Sequence, residues 1–216
     1  GQNFSGNDIN LIDSIKAGKT ITAERYNVGS LGTPILTAEY PSVSEYYQIF
    51  KDAIQKSPTE LLGELKQSGL RGRGGAGFSM AFKLESCRSA AGDTKFIVCN
   101  ADEGDPGAYS DRYIMEQRPH HLLMGMMLAG YMAGASKGVV YIRGEYPESV
   151  EIITRAIYEL QEQHLLGDNI LNSGFSYDFK VIKAQGAYIC GEETALLSSI
   201  EGQRPEVRVR PPYPTQ

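Results

Sequence analysis

Apolar residues recur at four-residue spacing at Tyr46, Phe50 and Ile54, the stripe expected of a helix beginning near Ser44. Pro58-Thr59-Glu60 then opens a second helical run, LLGELKQSG, which ends near Gly69. Three apolar, β-branched runs follow: KFIVCNA (95–101), GVVYIRGEY (138–146) and DFKVIKAQGAYI (178–189). They predict three strands. Helical patterns separate them. The first, from Pro119 to about Gly134, carries Gly125, Ala129 and Ala133 as a small-residue stripe that would let a neighbouring element approach closely. The second, from Pro147 to about His164, starts with proline and glutamate, as a first helical turn prefers. Alternating strands and helices predict an α/β domain with a largely parallel sheet. Residues 1–42 hold no sustained period and are expected to form an arm or cap, leaving 43–216 as the main domain.

Each expected strand runs into polar or turn residues: Asn100-Ala-Asp-Glu-Gly, Arg143-Gly-Glu and Cys190-Gly-Glu-Glu-Thr. Open α/β sheets bind ligands outside the carboxyl ends of their strands, so three segments aim their chemistry at one edge. Composition narrows the ligand. A formal charge of -5 argues against a nucleic-acid footprint, which needs a basic face. The longest apolar run, Leu122 to Ala135, is 14 residues, too short to cross a bilayer, so direct membrane insertion is not expected. The first residues lack the order of a signal peptide. Cys87, Cys99 and Cys190 stand far apart and fit reduced thiols in a cytoplasmic protein.

The stretch GLRGRGGAGF (69–78) places Gly72, Gly74 and Gly77 at the G-x-G-x-x-G spacing. That fingerprint has its mechanism when it follows a strand, and here it follows a helix. Phe78 stands where a nucleoside-triphosphate loop needs lysine. Two readings stay open: a glycine turn with solvated arginines, or a nest of N–H groups that, with Arg71, Arg73 and Lys83, holds a phosphate. In CNADEGDPGAYSDR (99–112), Asn100, Asp102, Glu103 and Asp105 suit hydroxyls and ring N–H groups, or else form a turn capping a helix near Asp111. Glu192 and Glu193 fall in a helix's first turn, where the macrodipole alone accounts for them. Glycosidase chemistry is disfavoured in a chain without tryptophan. Cys190 lacks a nearby histidine and reads as buried and inert. His120 and His121 point about 100° apart on a helix and read as surface or core-edge residues, so no metal site is expected.

Taken in order, GLRGRGGAGF, CNADEGDPGAYSDR, IRGEYP, GAYICGEETALLSSIEG and RVRPPYP resemble one family across roughly residues 65–216. It comprises the FMN-containing NADH-oxidising subunit of respiratory complex I and related diaphorase subunits of NAD-linked or bifurcating hydrogenases and NAD-dependent formate dehydrogenases. The resemblance implies a three-layer α/β/α Rossmann-like FMN-binding domain. It places Gly72, Arg73, Gly74, Gly75 and Lys83 at the flavin phosphate, Asn100, Asp102 and Glu103 near the ribityl chain and ring, and Tyr188, Gly191 and Glu192 around the isoalloxazine. Phe78, Asp105, Glu193, Arg210 and Tyr213 would line the NADH site, the carboxylates favouring NAD over NADP. Hydride would pass to FMN, and electrons singly to iron–sulfur partner subunits.

Departures accompany the match. After the glycine loop the family commonly reads Phe-Pro-Thr-Gly-Leu-Lys, whereas this chain has Phe78-Ser-Met-Ala-Phe-Lys83, and Ser86 stands where a second aromatic is expected. Arg210 replaces a common lysine. The family's later ubiquitin-like and [4Fe–4S] domains do not occur within the 216 residues. The expectation is therefore a piece of a longer subunit, or a shortened relative serving as a nucleotide-binding or assembly module.

Overall fold

The computed structural model describes Tyr26, Val28, Gly29 and residues 31–215. A compact unit starts at Leu36, and the arm expected over residues 1–42 falls mostly outside the described residues. Three strands, β1 (Phe96–Ala101), β2 (Lys137–Ile142) and β3 (Asp178–Lys183), form one sheet in the order β1-β2-β3. Both pairings are parallel, with Ala101 opposite Ile142 and Ile142 opposite Lys183. The strands therefore end in line, and the segments beginning at Asp102, Arg143 and Ala184 leave from one edge.

Two strands are shorter than their apolar runs. β2 stops at Ile142 because Gly144 and Glu145 turn the chain into the next helix, and β3 stops at Lys183. Gly186 then takes a positive φ of 77° and leads to a 3-10 turn at Tyr188–Gly191, so the expected strand through 189 is corrected.

The helices are α1 (Val43–Tyr46), α2 (Gln48–Ala53), α3 (Pro58–Ser68), α4 (Met80–Ser89), α5 (Ser110–Gln117), α6 (Pro119–Ala133), α7 (Pro147–Glu162) and α8 (Glu193–Ile200). The single helix expected from Ser44 is two, broken at Tyr47 (φ -75°, ψ 0°), whose ring is fully buried. Helix α3 opens on a capping box: Ser57 accepts from the Glu60 amide while the Glu60 carboxylate accepts from the Ser57 amide. Gly69 closes it in the left-handed region. Helix α4 was not expected from the pattern: Ala81 and Leu84 are buried and Met80 and Cys87 pack half-buried beside them, but the exposed Phe82 interrupts the stripe.

The central strand β2 is buried on both faces. Val140 and Ile142 pack into a helical layer with Phe50, Leu123, Met127, Ile153 and Leu160. Tyr141 faces the other way, onto Ala184, Cys190 and Leu196, and donates to Ser199 Oγ at 2.7 Å. The result is the expected three-layer α/β/α arrangement. A further cluster of Leu62, Leu84, Ala129, Met132 and Ala133 ties α3 and α4 to α6. The expected small-residue stripe is partly corrected: Ala129 and Ala133 are buried there, but Gly125 faces open space. The close approach is at Gly130, where a Cβ would lie 2.4 Å from the Tyr177 ring.

His120 is corrected as well. It is buried, with Nε2 3.0 Å from a Glu159 carboxylate oxygen and Nδ1 3.4 Å from the Tyr47 hydroxyl. It is part of the packed interior.

Candidate binding site at the strand ends

The glycine loop is closed at its base. Gly72 N–H donates to Phe78 O at 2.8 Å, Met80 N–H to Leu70 O at 3.1 Å, and the Arg71 guanidinium to Gly77 O at 3.0 Å. Arg71 thus holds the loop's own shape. Among the described residues, the amides of residues 73–77 have no hydrogen-bond acceptor within the protein. Positive φ values at Gly75 (109°) and Gly77 (58°) require glycine's conformational freedom. Arg73 is exposed and forms no ion pair among the described residues. The loop leads directly into α4, whose first turn is capped by Ser79 Oγ accepting from Phe82 N–H. Lys83 sits in that turn.

From there the site continues through charged contacts. Lys83 Nζ lies 3.8 Å from Glu193, and the Arg210 guanidinium spans Glu192 and Glu193, 2.6 Å from each. Glu192 also caps α8 by accepting from the Thr194 and Ala195 amides. Desolvation works against ionisation of Glu192, but the hydrogen bonds from Thr194, Ala195 and Arg210 together hold its carboxyl below the usual range. The macrodipole account of these carboxylates stands, and Arg210 adds to it.

A second set of contacts joins β1 to the turn after β3. Asn100 Nδ2 donates to Gly191 O at 2.7 Å, and a Cβ at Gly191 would lie 3.3 Å from Asp102 O. Tyr188 is 72% exposed and lies against Gly104, where a Cβ would meet its ring at 3.0 Å. Asp102 is buried, and its Oδ2 has no hydrogen-bond partner. Burial pushes its carboxyl up from the ordinary range, with Arg143 opposing. Because Gly191 adjoins Glu192, both sets form one continuous surface.

The Glu103 carboxylate is engaged within the protein. It accepts from Ser110 Oγ at 3.0 Å, Asp111 N–H at 3.0 Å, Arg112 N–H at 3.2 Å and Tyr146 O–H at 3.3 Å. It caps α5 and fixes the acidic loop. Asp105 lies in that loop's exposed turn, and among the described residues no side-chain hydrogen bond or ion pair joins it to the other candidates. Tyr213 is exposed on the closing segment that carries Arg210.

Sequence reasoning points Arg143 at this edge but gives neither it nor Tyr146 a role. Arg143, the first residue after β2, donates to Glu103 O and pairs with Glu145. Tyr146 lies under two guanidinium groups, Arg112 at 4.9 Å and Arg143 at 5.2 Å from its ring centre. The position of Arg143 at a strand end was the available signal.

These residues fit a flavin mononucleotide in their donor and acceptor chemistry. Unengaged amides and cations suit a phosphate, while Asn100 and the unpartnered Asp102 oxygen suit hydroxyls or ring N–H groups.

Residues 65–216 match the family described as the Nuo51 FMN-binding domain. The F 2 subunit of NADH-quinone oxidoreductase of Rhizobium meliloti (strain 1021) is 44% identical over 179 residues, which cover 83% of this chain and 42% of that protein. The HndC subunit of the NADP-reducing hydrogenase of Solidesulfovibrio fructosivorans is 44% identical over 170 residues, covering 79% of this chain and 34% of that protein. A crystal structure of an NAD+-reducing [NiFe]-hydrogenase in the H2-reduced state superposes with a TM-score of 0.70 at 33% identity, covering 95% of this chain and 35% of that one. The chain thus spans less than half the length of these relatives. Among the described residues, no helix is long and apolar enough to cross a membrane.

Proposed function

The chain belongs to the Nuo51 FMN-binding domain family, and on that premise we propose that it holds FMN and receives NAD(H) at the strand-end site, as the flavin module of a multi-subunit oxidoreductase. The observation that carries this reading is the joining of the glycine loop to the strand ends, through Lys83 to Glu193 and Asn100 to Gly191. In this reading the amides of 73–77, Arg73 and Lys83 neutralise the flavin phosphate. Gly74 and Gly75 leave their backbone open to it, and Gly72, whose N–H is spent on Phe78 O, closes the base of the loop. Asn100 and Asp102 serve the ribityl chain and ring, and Tyr188, Gly191 and Glu192 border the ring.

Glu103 acts by holding the acidic loop in place. Phe78 offers a ring face to the nucleotide, beside Arg210 and Tyr213. Asp105 and Glu193 set negative charge against a 2′-phosphate, favouring NAD over NADP. When bound, FMN supplies the hydride acceptor, with electrons passing onward to iron–sulfur partner subunits. The chain's own residues orient two planar rings and set the charge around them, and the reaction asks no general acid of them.

The test is a titration with FMN followed by flavin fluorescence, then anaerobic NADH. Saturable binding and bleaching of the flavin are expected. FMN binding without bleaching would support a nucleotide-binding assembly module instead, and loss of FMN binding in a chain that folds would refute the site.

A further inference from the structure

The Arg143 guanidinium is tied down more fully than the turn after β2 requires. Backbone bonds already close that turn: Arg143 N–H donates to Ala101 O at 3.3 Å and Tyr146 N–H to Arg143 O at 3.1 Å. Gly144 lets the chain pass close to the exit of β3, where a Cβ would lie 2.8 Å from Ala184 O. The Arg143 side chain is nevertheless mostly covered, at 21% exposed. Its Nε and Nη2 grip the two Glu145 oxygens at 3.1 and 3.0 Å, Nη1 donates to Glu103 O, and the group lies over the Tyr146 ring. Glu145 in turn lies against Gly186, where a Cβ would be 3.0 Å from one of its oxygens. One cation thus joins the segments that leave all three strands.

The group that answers to this charge is Asp102. Its carboxyl is buried next to Glu103 and leaves Oδ2 without a hydrogen-bond partner, at the edge where Asn100 meets Gly191. Arg143 favours its ionised form and Glu145 opposes it. The two carboxylates do not weigh equally. Glu145 is 49% exposed and screened by water, whereas Asp102 lies in the interior, where charges act more strongly. We propose that Arg143 is a positioning residue for the flavin reaction: held by Glu103 and Glu145, it places the positive charge that balances Asp102, and so sets the reduction potential of the bound flavin. The inference rests on the FMN reading above. An unbalanced carboxylate at the site disfavours the electron-rich reduced form, and the guanidinium offsets it. Arginine suits the place because its rigid fork reaches a carboxylate and a carbonyl at once.

The test is an anaerobic spectroelectrochemical titration of the FMN-loaded protein, with mediators, at fixed pH and ionic strength. Arg143→Gln is expected to bind oxidised FMN within about two-fold of the parent but the reduced form roughly three- to ten-fold more weakly, the order of one unbalanced charge in a partly solvated site. The midpoint then falls, by about 30 mV for each ten-fold in a two-electron couple. Arg143→Lys, which keeps the charge, should recover most of that fall. Asp102→Asn should raise the midpoint, and the double variant should return it toward the parent. An unmoved midpoint in Arg143→Gln overturns the assignment, because a merely structural clamp alters the binding of both redox forms alike. An equal fall with lysine also overturns it, as does an Asp102→Asn midpoint at or below that of the parent. If Arg143→Gln does not fold, the lysine and Asp102→Asn variants decide by the same criteria. A folded parent that binds no FMN refutes the proposed function itself, and this residue's role with it.

Discussion

Gly125 and Gly130 lie five residues apart in α6, and alanine at the two positions is predicted to act in opposite directions. At Gly130 a methyl group would sit 2.4 Å from one carbon of the Tyr177 ring and 3.0 Å from two others. Ordinary contact requires the ring to retreat by about 1 Å, and it is held on several sides. Tyr177 is 1% exposed, stacks on Phe175 at 5.5 Å, meets Phe179 edge-on at 5.1 Å and donates its hydroxyl to Met126 O at 3.2 Å. Overpacking a site so confined costs about 1–3 kcal/mol. Alanine's helix propensity offsets about 0.8–1 kcal/mol of that, leaving a net loss of up to about 2 kcal/mol. At Gly125 nothing lies within 4 Å of the same methyl group, so only the propensity term acts and the variant gains about 0.5–1 kcal/mol. Urea unfolding of both variants, with midpoints compared at a common slope, separates them. A Gly130→Ala midpoint at or above that of the parent refutes the packing argument.

Glu103→Gln replaces one of two carboxylate oxygens that between them accept from Ser110, Asp111, Arg112 and Tyr146. A loss of roughly 2 kcal/mol is expected, with faster hydrogen exchange in the amides of the first turn of α5; exchange confined to other segments would contradict the capping role. Asp102→Asn tests the buried carboxyl. A carboxyl whose folded pKa is raised is penalised once ionised, so the parent loses stability as pH rises above the ordinary carboxylate range of about 4. The stability difference should therefore shift in favour of the asparagine variant between about pH 4 and pH 7, and a difference that stays flat or shifts the other way counts against the burial argument. Lys83→Ala should weaken FMN binding several-fold at low salt and less at high salt, as expected for an exposed cation; an unchanged FMN titration would remove Lys83 from the phosphate site.

The sheet was legible because β-branched runs followed by turn residues have few other fates, and the parallel order followed from the helices between them. Strand ends were overrun where apolar residues continue past the last paired position: Ala184 and Ala187 read as strand, but Gly186 turns the backbone. Helix α4 escaped notice because the exposed Phe82 interrupts the inward set of Met80, Ala81, Leu84 and Cys87, so the apolar residues do not fall on one face. The motif carried Asn100, Gly191, Glu192 and Glu193 to one edge. It could not distinguish Glu103, bound up in a helix cap, from Asp102, whose neighbours in the fold leave one oxygen unpartnered. Sequence order gives both the same address, and only the packing of Tyr146 and α5 tells them apart.

The register of the sheet also bears on how the protein assembles. Lys137 pairs with Phe96, 41 positions earlier, and Asp178 with Lys137, again 41 positions earlier. Closing either loop costs about 3 kcal/mol from its length alone, so chain entropy gives neither pairing a head start. The order in which they form then falls to the intervening segments: α5 and α6 in the first crossover, α7 in the second. Helices form in about a microsecond, whereas parallel pairings across such distances are slow. The edge that carries Asn100 and the turn at Gly191 is complete only when both pairings have closed, so the binding surface depends on both crossovers being in place.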